Sequence, residues 1–199
     1  MAESDHTGAV TRHFLDAAQA ASESAELLGG GVAEAAELIV HALMANHRVF
    51  ACGNGGSASD AEHIVAELVG RLEQERPGLP AVALSANTSV VTAIANDYGF
   101  AETFSRQVRA FGSAGDVLIA ISASGNSANV VNAVIAAHER EMRVVALTGA
   151  GGGLIGEQLV SSDRLIAVPA TRIMRVQELH RISIHALCDV IDRILLGGM

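Results

Sequence analysis

Tryptophan is absent from this sequence, tyrosine occurs once, and only two residues are cysteine. The chain has no Lys/Arg cluster, and its formal charge is −9. An acidic chain this poor in aromatic side chains is a weak candidate for binding nucleic acid directly. Cys52 and Cys188 each sit in an apolar segment, which reads as two reduced thiols packed in the interior with no redox role. No apolar run reaches the ~18 residues that a membrane span needs. The opening residues, MAESDHTGAV, have neither the basic start nor the apolar core of a signal peptide. The expectation is a cytoplasmic protein with no membrane partner.

Apolar residues make up 50% of the chain and charged residues 18%, a globular composition. The length of 199 residues favours one domain with a sizeable core. Residues 1–47 read as helix: Val10, Phe14, Ala17, Ala21 and Leu28 recur at helical spacing, as do Val32, Ala36, Ile39, Val40 and Leu43. Gly29–Gly31 punctuate this segment and predict two helices. From 48 the texture changes to short apolar runs (RVFAC, AVALS, DVLIAIS, RVVALTG, RLIAVP) separated by helical patterns, with a long final helix from about Ile173 to Leu196. Strands apolar on both faces and separated by helices predict an α/β fold: a five-stranded parallel sheet flanked by helices, with N-terminal helices in front. Residues 48–199 form the sheet-bearing part, and no linker suggests a second domain.

Two stretches follow one plan of strand, Gly/Ser/Asn loop and helix: ACGNGGSASDAEHIVAEL and AISASGNSANVVNAVIAA. In parallel sheets ligands bind beyond the carboxyl ends of the strands. Each loop also opens a helix, whose first N–H groups are unpaired and whose dipole favours an anion. With Ser57 in the first loop and Ser122, Ser124 and Ser127 in the second, the pattern describes a phosphate cradle of neutral donors. Helix capping by one serine each is the plainer alternative. Neither loop has the Walker lysine or the Rossmann spacing, so no nucleotide cofactor is expected and a small sugar phosphate is.

On the helix after the first loop, His63 and Glu67 lie at i,i+4 on one face. The last helix carries Gln177 and His185, with Glu178 and His180 between them. These side chains suit a divalent metal if the two helices meet, or general acid/base work beside a carbonyl. Such i,i+4 pairs are also common on solvated helices. Asn96–Asp97 sits at another helix end, as a polar contact or a plain stop.

The series CGNGGSASDAEHIVAELVGR, ERPGLPAVALS, TAIANDYGF, FSRQVRAFGSAGDVLIAISASGNSANV, VVALTGAGGG and RVQELHRISIH resembles the phosphoheptose isomerases of the sugar isomerase (SIS) domain superfamily. The resemblance runs from about Val49 to the C-terminus. It implies a homotetramer with active sites at subunit interfaces, and conversion of D-sedoheptulose 7-phosphate to D-glycero-D-manno-heptose 7-phosphate on the way to surface polysaccharide. By position it places Asn54, Gly55, Gly56, Ser57, Asn96, Asp97, Ser122, Ala123, Ser124, Ser127, Glu67 and Gln177 on substrate contacts. His63, Glu67, Gln177 and His185 match zinc ligands, and Glu67 and His185 match an acid/base pair. One departure is Ala123, where the family loop usually carries threonine, so one hydroxyl is missing from the cradle. The chain is also similar to the DnaA initiator-associating protein DiaA, a tetrameric binding protein of the same superfamily. That regulator lacks the carboxylate and histidine matched here by Glu67 and His185.

Overall fold

The structure, a computed structural model, describes residues 6–197. The first five residues of the expected N-terminal helical segment therefore lie outside the described residues. The elements, in chain order, are α1 (His6–Met44), β1 (Val49–Gly53), α2 (Gly56–Val69), β2 (Ala81–Ala83), α3 (Thr88–Tyr98), a 3-10 turn (Phe100–Glu102), α4 (Ser105–Phe111), β3 (Val117–Ser122), α5 (Ala128–Glu139), β4 (Arg143–Thr148), α6 (Gly153–Gln158), β5 (Arg164–Ala167) and α7 (Ile173–Leu196). All five strands are parallel, in the order β2-β1-β3-β4-β5.

Period-two side chains split the core into two layers. Val49, Ala51, Ile119, Ile121, Val145 and Leu147 face α1, α2 and α7, where they meet Ile39, Ile64 and Ile184. Phe50, Cys52, Leu118, Ala120, Val144 and Ala146 face α4 and α5, where they meet Val108, Val130 and Val134. Both faces of the sheet are covered, which is why the strands read as continuous apolar runs rather than alternating ones. Cys52 and Cys188 are buried free thiols, and burial pushes each up to about 12.

One expectation is corrected. Gly29–Gly31 do not end a helix: α1 runs through them for 39 residues. Each glycine costs about 1 kcal/mol relative to alanine in a helix interior, and the packing of α1 along α7 and against β5 offsets that cost. A glycine run after β4 opens the short helix α6. One 18-residue window of α1 is apolar enough to cross a membrane by length and composition, and 44% of that window is buried inside the molecule.

The loop RLEQERPGLP is irregular, as its composition predicts. Its Arg76 turns inward, donating from Nε to Asp192 Oδ1 (2.6 Å), from Nη1 to Leu68 O (2.9 Å) and from Nη2 to Glu67 O (2.9 Å). Carbonyls at the end of α2, which lack partners within the helix, are thereby tied to α7.

Candidate active site

The chain leaves β1 toward β2 on one side, and β3 lies on the other. The crevice beyond the carboxyl ends of β1 and β3 is thus the point where the strand order reverses, the usual ligand position in open α/β sheets. The two Gly/Ser loops are the two walls of this crevice. Their asparagines join them: Asn54 Nδ2 donates to Asn129 Oδ1 (2.8 Å), and Asn129 Nδ2 returns a bond to Asn54 Oδ1 (2.9 Å) and reaches Thr103 Oγ1 (3.2 Å).

A cavity of about 170 Å³ opens there, lined by Asn54, Ser57, Ser122, Ser124, Ser127 and Gln177 among others. Capping does not account for its serines. The N-cap of α2 is Gly55, at φ 56°, and Ser127 makes no side-chain bond to the start of α5. Instead Ser122 Oγ lies 3.0 Å from Ser127 Oγ and 3.5 Å from Ser124 Oγ, a cluster of hydroxyls beside two helix N-termini. Gly56 is bare because Gln177 fills its space: a Cβ there would collide with the Gln177 side-chain amide. Gly125 sits at φ 68°, where a Cβ would strike the Gly152 carbonyl. The second loop is held from behind by α6, since Leu154 N donates to Asn126 Oδ1 (2.9 Å) and Ile155 N to Gly125 O (2.9 Å). Ala123 lines the cavity and also packs against the cluster of Val168, Val176 and Leu179.

Farther along α2 and α7 a second group converges. His63 Nε2 lies 2.8 Å from His185 Nε2 and 3.4 Å from Glu67 Oε1. Ligand atoms of all three residues fall within 4.8 Å of one another. Burial, helped by the positive charge of Arg181 and by His185, lowers the pKa of His63, although Glu67 opposes the shift. A neutral His63 is the ligating and proton-accepting form. Two imidazole nitrogens and a carboxylate oxygen this close together are donors that suit a divalent metal.

The residues singled out in the sequence thus form two groups. Asn54, Gly55, Gly56, Ser57, Ser122, Ala123, Ser124, Ser127 and Gln177 surround the crevice, and His63, Glu67 and His185 form the triad. Gln177 belongs to the crevice. It stands eight residues before His185, about 12 Å along the helix at 1.5 Å per residue, with its amide against Gly56. Asn96 and Asp97 join neither group: they are exposed at the end of α3, bonded to each other (2.8 Å). The sequence reading missed Asp60 and Arg181, which link α2 to α7 by an ion pair of 2.8 Å. Their signal was available, because Arg181 stands at i+4 from Gln177 and at i−4 from His185.

Fold and site define a sugar-phosphate type of α/β domain, and a family model described as "SIS domain" matches residues 13–149. Among curated proteins, the phosphoheptose isomerase of Azoarcus sp. (strain BH72) is 55% identical over 188 residues, 94% of this chain and 95% of that protein. Among solved structures, phosphoheptose isomerase GmhA from Neisseria gonorrhoeae superposes with a TM-score of 0.89 at 51% identity, covering 94% of this chain and 98% of that one. A phosphoheptose isomerase from Francisella tularensis gives 0.91 at 39% identity, with coverages of 94% and 98%. The chain belongs to the SIS domain family and, within it, to the phosphoheptose isomerases.

Proposed function

We propose that this protein interconverts D-sedoheptulose 7-phosphate and D-glycero-D-manno-heptose 7-phosphate. The observation that carries the reading is the separation of the two groups on one helix. His63 and Glu67 follow Ser57 on α2 by six and ten residues, about 9–15 Å at 1.5 Å per residue. That is the reach of an extended seven-carbon chain held by its terminal phosphate.

The serine hydroxyls and the first N–H groups of α2 and α5 hold the phosphate, and the open-chain ketose points its carbonyl end at the triad. A base of the Glu67/His185 pair removes a proton from C1. The C1–H electron pair becomes the C1=C2 bond of an enediol as the carbonyl oxygen on C2 gains a proton. A proton then returns to C2, and the C1 hydroxyl loses its proton to leave the aldehyde. Proton transfers of this kind contribute about 10²–10⁴-fold each. A zinc ion would be held by His63, Glu67 and His185, and the resemblance adds Gln177. Such an ion, when bound, supplies a positive charge that stabilises the developing oxyanion.

The active assembly is a homotetramer with sites at its interfaces. Support comes from an apolar groove of about 320 Å³ between α1 and α7, lined by Ala21, Leu28, Val32, Ile182, Ala186 and Val190 among others. Phe14 and Leu15 of α1 are also exposed, at 71% and 63%. In such an assembly the Asn96–Asp97 pair completes a neighbouring subunit's site, and α1 packs on partner subunits. Action in the cytoplasm fits the substrate, because a charged phosphate ester does not cross a bilayer unaided. The DnaA-binding reading is not favoured: relatives more than 50% identical over nearly the whole chain are phosphoheptose isomerases, and a binding-only protein has no chemical need for Glu67 and His185.

The test is direct. Pure protein is incubated with sedoheptulose 7-phosphate, with and without a chelator, and aldose phosphate is measured. Product is expected, with less after chelation. Glu67→Gln is expected to fold and to lose at least ~10²-fold in turnover. No product under either condition, together with tight binding to DnaA, would transfer the protein to the regulator class.

A further inference from the structure

Between the phosphate crevice and the triad lies a stretch of about one helical turn. On α7, Gln177, Arg181 and His185 form a stripe at i, i+4 and i+8, with Arg181 in the middle. On α2, Asp60 stands between Ser57 and His63. Arg181 Nη2 meets Asp60 Oδ1 at 2.8 Å, and the two side chains are 36% and 4% exposed. The pair is single-pronged. Among the described residues, Asp60 Oδ2 has no hydrogen-bond partner, and Arg181 makes no further ion pair or side-chain hydrogen bond. A guanidinium carries five N–H donors in a fixed plane, so most of those on Arg181 are left for something else. Its charge reaches the triad as well, being the second cause, after burial, of the lowered His63 pKa.

We propose that Arg181, aimed by buried Asp60, binds the middle hydroxyls of the substrate and selects for a long open-chain polyol phosphate. This rests on the reading above. The phosphate is already served by the serines and helix ends one turn away, and the reacting carbons by the triad. The part of the chain between them is a run of neutral hydroxyls. Paired N–H donors from one rigid plane match adjacent hydroxyl oxygens, and the partly exposed face of Arg181 is where such a chain passes.

The experiment measures binding of the reduced, unreactive heptitol 7-phosphate and of inorganic phosphate by calorimetry, alongside turnover of sedoheptulose 7-phosphate. The proteins are the wild type, Arg181→Lys, and the pair Asp60→Leu/Arg181→Leu, which leaves no orphaned buried charge. Arg181→Lys keeps the charge and loses the planar fork, so it serves if the double variant fails to fold. Expected is a loss of at least ~10-fold in heptitol phosphate affinity, the scale of hydrogen bonds from a charged donor, with inorganic phosphate affinity unchanged. Unchanged heptitol phosphate affinity would overturn the proposal. A parallel loss of inorganic phosphate binding would also overturn it, by assigning Arg181 to the phosphate. Wild type that binds heptitol phosphate through Arg181 yet turns over no substrate would refute the isomerase reading and leave this proposal standing. Wild type that binds no heptitol phosphate would overturn both.

Discussion

Ser127 occupies the N-cap position of α5, and its hydroxyl caps nothing; it meets Ser122 of the same loop on one wall of the crevice. The residue is thus free to serve a ligand, and Ser127→Ala separates the two roles. Loss of a hydrogen bond to a charged phosphate costs about 1.5–3 kcal/mol. The expected result is a KM roughly ten- to a hundredfold higher with melting temperature unchanged, read from steady-state kinetics and a thermal melt. A second residue-scale consequence concerns His180, fully buried on α7 with neither ring nitrogen in an ordinary hydrogen bond. Burial lowers its pKa below the ordinary 6.5, and the nearby Thr148 backbone only partly opposes this. Below pH 6.5 the unfolded chain takes up a proton that the folded chain refuses, so stability falls with falling pH until the depressed folded-state pKa is reached. Melting temperature is expected to drop between pH 7.5 and 5.5, and to drop less in His180→Leu. At this scale the crevice residues were legible as Gly/Ser/Asn loops after buried strands. The α7 stripe offered Arg181 at i+4 from Gln177, but its pairing with buried Asp60 shows only once the two helices are placed side by side.

Helices α2 and α7 carry the site between them, with one group at their N-terminal ends and the other farther along both. Arg76 fastens the far end of α2 to Asp192 of α7, close to where Glu67 and His185 meet. Sequence periodicity located both helices, since their buried stripes are regular and their flanks are broken by glycine or polar loops. It failed at Gly29–Gly31, where local propensity points to a break and the long contact of α1 with α7 overrides it. That conflict gives a prediction. Nothing lies within 4 Å of a Cβ built on Gly30, so Gly30→Ala removes backbone freedom from the unfolded chain without a clash. Stability is expected to rise by about 1 kcal/mol, measured by denaturant titration. The short helix α6 escaped the sequence reading for the opposite reason. Its six residues are too few for a period, and it is held by bonds to the second serine loop rather than by its own pattern.

The whole molecule is a parallel sheet whose single reversal of strand order brings two similar loops together at one end. The order β2-β1-β3-β4-β5 could not be read from the strands one by one, but parallel pairing and the repeated strand–loop–helix plan already required the loops to share that end. What a single chain leaves open is as informative: α3 has no buried residue, α1 exposes apolar side chains, and Asn96 and Asp97 are exposed and bonded to each other. All three features fit an assembly of subunits. The central claim is that the crevice presents a phosphorylated ketose to Glu67 and His185 for proton transfer. The most direct measurement is to incubate the protein with sedoheptulose 7-phosphate in deuterated water and follow the product by NMR. Aldose phosphate bearing deuterium at C2, formed by the wild type and at most about a hundredth as fast by Glu67→Gln, is the predicted result. No aldose phosphate, or aldose formed by Glu67→Gln at the wild-type rate, would contradict it.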